Sequence, residues 1–380
     1  YFIGDFFSDS IKWGTNYVKN IRSTSGTQNV HSDFFVVKFD SLGNVIWSKS
    51  FGGKSSDFGR SIDVDQFGNI YITGCFQSDT LILDNIKLVN NSKLNGGIAS
   101  WSGEWQKDFF IAKLNSSGAI IWAKNAQHFK SNTEASSITV DENNEPVVCG
   151  YYFDTSITFG SITLHNSPIS STMSFLGYES FITKFDSAGN TIWARSFGGT
   201  RDEYQETDYC KNLVCTDNSN NIYFTMSFTS DSIKLDATTV YNCAYPFDNT
   251  PGRDLLLIKF NSNGSILWHQ KSTTFTSDAD EQSASLCVDG NNNIILGGTY
   301  SSIGITFDTI TRYNGFSVQQ CDLASFAFIY KFDSAGTALW GRSEQKSKGY
   351  SSSVGVLPNN DIYYMGIFQD SVTFDGVSTL

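Results

Sequence analysis

Histidine is scarce in this chain: four residues (His31, His128, His165, His269) are scattered over 380 positions. No HExxH, G-x-S-x-G or phosphate-loop pattern accompanies them. The usual carriers of metal-assisted hydrolysis, acyl transfer and nucleotide binding are therefore missing, and no catalytic residue is assigned. Charged residues make up only 17%, with a formal net charge of −12. Cation clusters that would neutralise a phosphate backbone are absent, which argues against nucleic acid, and against anionic membranes for the same reason. No apolar run reaches transmembrane length, so direct membrane insertion is not expected. No signal peptide or targeting tail is visible. The chain opens at Tyr1, in mid-repeat, and both ends are expected to be incomplete. Seven cysteines (Cys75, Cys149, Cys210, Cys215, Cys243, Cys287, Cys321) form no CxxC pair, which argues against zinc. Buried free thiols are the expectation. Cys243 and Cys321 lie in equivalent loops and would be placed to bridge in an exported protein.

What the chain does have is periodicity. Tryptophan returns at Trp47, Trp122, Trp193, Trp268 and Trp340, every 71–75 residues. Each stands four residues after a glycine (Gly43, Gly118, Gly189, Gly264, Gly336) and nine after a lysine (Lys38, Lys113, Lys184, Lys259, Lys331). Three residue types in fixed mutual register five times over define a tandem repeat, and repeats dictate the fold. In one copy, Asp33–Phe39 reads as a strand. A turn at Asp40-Ser41-Leu42-Gly43-Asn44 and a second strand from Val45 follow. Ser61–Asp65 alternates with period two, and a turn at Gln66–Asn69 opens the strand Ile70–Phe76. The strands are called A (Ile62 type), B (Tyr71 type), C (Phe35 type) and D (Trp47 type). The Gly74 position recurs as Gly4, Gly150, Gly298 and Gly366, with Met226 as the exception. Two residues later an aromatic stands in all six copies. A period-two piece such as Ser156–Phe159 with Ile162–Leu164 follows, as an extra hairpin or strand extension.

A four-stranded sheet of this kind is apolar on both faces and must bury both. Packing such sheets face to face around an axis does so, which is the β-propeller solution. The expected fold is all-β: one propeller domain over residues 1–380, of four-stranded antiparallel blades with a repeat of about 73 residues. Six B segments against five C–D–A passages imply at least six blades.

The run DFFVVKFDSLGNVIWSKSFGG…SIDVDQFGNIYITGCF resembles the bacterial seven-bladed β-propeller repeat. Shared features are the aspartate–aromatic strand, the lysine, the G-x-x-x-W step, the Gly-Gly loop and the D-x-x-G-N turn. Departures are Glu179 and Phe326 for the leading aspartate, Leu357 for the Asp65 type, and Pro146 in one turn. The resemblance implies a large exported bacterial surface protein, often of the type IX secretion kind, and says little of function.

In an antiparallel meander the A–B and C–D turns share one end, and the B–C and D–A connections share the other. The former are uniformly short. The latter vary, at 96–107, 167–178, 243–253 and 314–325 before strand C, and at 125–135, 200–212 and 272–284 before strand A. Recognition needs residues that differ from the scaffold, so this variable-loop face is the expected binding face. Its non-repeat aromatics Trp101, Trp105, Tyr178, Tyr245 and Phe247 suit a sugar ring or a protein hot spot, or fold back as loop cores. Asp202, Glu203, Asp278 and Asp280 are candidate calcium ligands or an acidic rim; no other cofactor is expected. The recurring turn aspartates read as caps of their own turns, and the lysines as buried stems reaching a carboxylate or solvent. Asp-(Ser/Thr)-apolar triplets place candidate O-glycosylation acceptors at Ser10, Ser41, Thr80, Ser187, Ser232, Thr309, Ser334 and Ser371, where turn chemistry serves equally well. The leading expectation is a non-enzymatic interaction or adhesion module, extracellular or at the cell surface, with a protein or glycan partner. An extracellular polysaccharide lyase or hydrolase, and a passive spacer, stay open beside it.

Overall fold

The computed structural model describes residues 1–21, 31–94, 106–128, 132–166, 177–199, 201, 203, 213–242, 252–275, 280–315, 325–344, 348–369, 373–374 and 377–378. Strand is the dominant element among these residues, beside turns and one short helical turn at Asn91–Leu94. Four sheets are complete antiparallel meanders in the order A–B–C–D. They are Asp57–Val64, Ile70–Phe76, Asp108–Leu114 and Ile120–Lys124; then Thr133–Val140, Pro146–Tyr152, Glu179–Phe185 and Thr191–Phe197; then Leu213–Thr216, Ile222–Phe228, Asp254–Phe260 and Ile266–Lys271; then Glu281–Val288, Ile294–Tyr300, Phe326–Phe332 and Ala338–Ser343. Ahead of them Phe2–Phe6, Asp33–Phe39 and Val45–Phe51 pair as B–C–D, and after them Lys348–Val356 pairs with Ile362–Gln369 as A–B. The piece after each strand B is a hairpin, as in Ser156–Phe159 against Ile162–His165. The fold class is the expected one: an all-β chain of repeated propeller blades.

The chain divides into two compact units, Tyr1–Asn166 with Phe181–Ser196, and Ser167–Ser180 with Phe197–Leu380. Within each, alternate residues of one sheet turn to opposite neighbours. In the first, Ile70, Ile72 and Phe110 join Phe34, Val36 and Phe51 of the preceding sheet. Tyr71, Phe109 and Ile111 join Val148, Tyr152 and Phe181 of the following one. In the second, Tyr223, Leu255 and Leu257 join Ile294, Leu296, Phe328 and Tyr330. The period-two alternation of a strand thus feeds two cores at once, which is why these strands read as continuously apolar. Each hairpin wedges further apolar groups between sheets, such as Leu81, Leu83 and Leu88.

Strand A begins four residues earlier than its alternation suggested, at Asp57 rather than Ser61. A β-bulge between Gly59 and Ser61 resets the register and breaks the period-two pattern. The same bulge recurs at Ala135/Ser137, Ser283/Ser285 and Ser351/Ser353. It explains the recurring glycine of strand B, since a Cβ at Gly74 would sit 1.9 Å from the Phe58 carbonyl oxygen. Gly150 and Gly298 face Glu134 and Gln282 in the same way. Met226 holds this position in the remaining sheet, where strand A is described from Leu213 onward, opposite Thr225.

The Lys–Gly–Trp register is a device for stacking blades. Lysine and tryptophan are cross-strand partners on strands C and D, as Lys113 with Trp122. Both reach one carbonyl in the C–D turn of the next blade. Lys113 Nζ and Trp122 Nε1 donate to Ser187 O at 3.3 and 3.1 Å. Lys259 and Trp268 do the same to Ser334 O, at 2.8 and 3.0 Å, and Lys38 and Trp47 to Ser116 O. The indole then lies on the glycine of that turn, so that a Cβ at Gly189 would meet Trp122 at 3.0 Å. The lysine also faces an A–B turn carboxylate of its own blade. Lys184 and Lys331 stand 2.7 Å from Asp141 and Asp289, and Lys113 and Lys259 at 3.8 and 3.9 Å from Asp65 and Asp217. These lysines are structural, as expected.

Gly43 and Gly189 share a positive φ of 82°, but nothing lies within 4 Å of a Cβ at Gly43. Gly43→Ala should therefore cost only the left-handed backbone penalty, about 1–2 kcal/mol. Gly189→Ala should cost roughly a further 1–3 kcal/mol from displacing the indole. Denaturant unfolding of the two variants side by side checks this; equal losses would remove the stacking role assigned to Trp122.

Candidate functional site

The variable-loop end of each sheet carries buried carboxylates, and the local sequence explains their placement. The first residue of strand C is acidic in four sheets and buried in each: Asp33, Asp108, Glu179 and Asp254. A Cβ at Gly52 would lie 2.1 Å from Asp33 Oδ1, and one at Gly198 would lie 2.3 Å from Glu179 Cγ. Their neighbours Gly53 and Gly199 pack on Ser78 and Ser230. The Gly-Gly pair of the D–A connection is therefore glycine to make room for a carboxylate and a serine. Where Phe326 replaces the acid, Glu344 of the D–A connection takes over, accepting from the Ala327 N–H at 3.0 Å.

Asp57, at the head of strand A, accepts from Ser78 Oγ at 2.7 Å and from the Ser78 N–H at 3.1 Å. Burial pushes its carboxyl up, the Ser78 hydrogen bonds oppose that, and the nearby Asp33 adds to it, for a value of about 7. His128 is buried between Asp108, which bonds Nε2, and Asp154, 3.7 Å from Nδ1. Burial alone would lower the imidazole; the two aspartates outweigh it and raise it to about 9. Glu134 bridges Arg60 at 2.8 Å and Lys107 at 3.1 Å, while Arg60 also faces Asp5 at 3.5 Å, so charges from three successive blades meet. Burial would raise Glu134, but Lys107 and Arg60 hold it down at about 2. Each of these groups ties one element to another.

Of the residues singled out from sequence, Trp101, Trp105, Tyr245, Phe247, Asp202, Asp278 and Ser371 lie outside the described residues, as do Cys210, Cys243 and Cys321. Tyr178, expected either at a recognition surface or folded back into a loop core, is only 4% exposed, which corrects the first of these readings. The chain folds back there, and Tyr178 O accepts from the Glu203 N–H. Glu203 accepts from the Thr229 N–H at 2.8 Å and bonds Ser230. Asp280 accepts from the Arg253 N–H at 3.3 Å. Both candidate calcium ligands thus serve as loop caps, and among the described residues no cluster of three or more His, Cys, Asp or Glu is arranged for a metal. Ser41, Ser187 and Ser334 are exposed in C–D turns whose aspartates cap the chain, as Asp186 does for Ala188 and Asn190 at 2.9 and 2.8 Å. Ser10, Thr80 and Ser232 begin hairpin strands, and Thr309 occupies a hairpin turn. The four described cysteines, Cys75, Cys149, Cys215 and Cys287, are free thiols.

Two features escaped sequence reasoning. An asparagine follows each of the first five hairpins (Asn20, Asn90, Asn166, Asn242, Asn314), every 70–76 residues. Asn90 Nδ2 donates to Phe76 O and Gln106 O, and Asn242 to Phe228 O and Gly252 O, pinning the exit of strand B to the entry of strand C. Its spacing was a readable signal. The second is Phe275 beside Tyr313, rings 5.5 Å apart and exposed by 42% and 54%. They come from different connections, so no linear pattern joins them.

Residues 46–74, which run from just before the strand D tryptophan to the strand B glycine, match a family model described as SBBP, beta-propeller repeat. That stretch matches one SBBP repeat, and the other copies share its lysine–glycine–tryptophan register. It is also 24% identical over 390 residues to an uncharacterized WD repeat-containing protein of Acanthamoeba polyphaga mimivirus; the match covers 94% of this chain but 27% of that protein. The chain thus spans about a quarter of that relative's length. Remote structural likenesses include a protein of unknown function from Bacteroides caccae (TM-score 0.33, 7% identity, 81% of this chain and 92% of that one). Another is from Dyadobacter fermentans DSM 18053 (TM-score 0.39, 9% identity, 86% and 76%).

Two titrations separate cleanly within these sheets. Both Asp57 and His128 have folded values above their ordinary ones, so each contribution is complete below the ordinary value and lost as pH rises through the folded one. For Asp57 the window runs from about 4 to about 7, and for His128 from about 6.5 to about 9. Asp57→Asn should remove the loss in the first window, on the order of 3–4 kcal/mol, and leave the protein more stable than its parent at pH 8. His128→Gln should be destabilised by roughly 3 kcal/mol at pH 6 and little at pH 10. Unfolding midpoints measured across pH 4–10 check both; parallel curves for parent and Asp57→Asn would contradict the first.

Proposed function

We propose that this chain is a non-enzymatic interaction module of a large exported bacterial surface protein, binding a protein or glycan through its variable-loop face. One contrast carries the reading. At the turn end, successive blades repeat the same lysine, aspartate, glycine and tryptophan contacts, which leaves that end nearly uniform. At the other end, connections differ in length and composition between blades, and a rigid frame with variable loops is the usual plan of a recognition surface. Three described groups of the kind catalysis draws on are engaged in holding elements together: His128 with Asp108, Glu134 with Arg60 and Lys107, and Lys184 with Asp141. The SBBP repeat and the WD repeat-containing relative support a repeat module built for association.

Trp101 and Trp105 are the proposed anchors of the partner. Trp101→Ala with Trp105→Ala should weaken capture of cell-surface extract components on the immobilised chain about tenfold or more, with the unfolding midpoint unchanged. Unchanged capture, or turnover of a polysaccharide by the parent chain, would overturn the proposal.

A further inference from the structure

We propose that Phe275 and Tyr313 form a stacking platform for an uncharged sugar ring. This rests on the recognition role assigned to the variable-loop face and names the ligand class for one place on it. Phe275 lies in the connection before strand A and Tyr313 ends the hairpin that precedes the 314–325 connection, so the pair sits beside two variable segments. They are held rigidly. Thr273–Thr274 pairs with Gly304–Phe307, which pairs with Ile310–Tyr313, making a three-stranded ribbon. The Phe275 N–H donates to Ser302 Oγ at 3.1 Å. Both rings close over Gly304, where a Cβ would lie 2.8 Å from Tyr313 and 3.2 Å from Phe275. A loop core would hide such rings; these are fixed side by side, tilted by 34°, and left facing water.

The surroundings select the ligand. Hydroxyls dominate the ribbon, with Thr306 and Thr311 bonded at 2.8 Å. The neighbouring charges are already engaged. Arg312 donates to Gly341 O and Thr311 O at 2.6 and 3.1 Å, and Asp280 faces Arg253 at 3.8 Å. Among the described residues a ligand there meets aromatic faces, hydroxyls and charges already engaged, which suits the C–H faces and hydroxyl rim of a neutral sugar. A standard protein partner would need about 800 Å² of surface on this side, far more than two rings supply.

Saturation-transfer NMR and calorimetry on the full chain, using laminarihexaose, cellohexaose and xylohexaose as neutral probes and hexagalacturonate as the acidic one, test the idea. At least one neutral hexaose should bind, and hexagalacturonate at least about tenfold more weakly. Phe275→Ala with Tyr313→Ala should weaken neutral binding about tenfold or more, while Tyr313→Phe keeps it. Unfolding midpoints of all variants are compared with the parent, so that loss of fold is not read as loss of site. Absence of binding by every neutral hexaose, preference for the acidic one, or affinity unchanged in the double variant overturns the platform. Sugar binding lost in the Trp101→Ala, Trp105→Ala variant and kept in the Phe275→Ala, Tyr313→Ala variant also overturns it, while leaving the recognition face standing. A double variant that loses a protein partner and not the sugar overturns the ligand class.

Discussion

The structure depends on one contact: a lysine and a tryptophan, paired across strands C and D of one blade, both donate to a single carbonyl in the C–D turn of the next. The carbonyl has two lone pairs and would otherwise face water at the rim of a turn. The indole covers the turn glycine while its N–H and the ammonium satisfy the oxygen. Hydrophobic burial, hydrogen bonding and backbone conformation are therefore met by the same three residues. This is why they recur in strict register while much of the sequence between them drifts.

From this coupling follows the division between the two ends of each sheet. The turn end carries this blade-to-blade contact in the three copies described, and a change there must be matched in a neighbour. At the opposite end, beside the Glu134–Arg60–Asp5 link across blades, carboxylates, Gly-Gly pairs and the hairpin asparagines organise the connections locally. That end also tolerates substitution of one solution for another. Phe326 displaces the acid that begins strand C elsewhere, and Glu344 supplies a carboxylate from the next connection instead. The Asp57 and His128 sites show the cost of such buried ionisable groups. Each holds its proton more tightly than in water, so each makes the fold sensitive to alkali in its own window.

The sequence by itself determined the repeat, the strand order, the turn positions and the two-faced character of the sheets. These depend on local periodicity and on residues a fixed number of positions apart, which a linear reading can count. It even carried the hairpin asparagine, whose spacing was nearly as regular as that of the tryptophan. Only the tertiary structure decided what the recurring residues touch, because the partner of Trp122 is a carbonyl 65 positions away on another sheet. The bulge in strand A, which places a carbonyl against Gly74, hid the true start of that strand behind a broken alternation. Tyr178 looked like an exposed loop aromatic and is buried, since loop residues are hidden or shown according to how the chain doubles back, not according to their type. Phe275 and Tyr313 meet for the converse reason: two separate connections are brought side by side by a ribbon whose pairing no local pattern encodes.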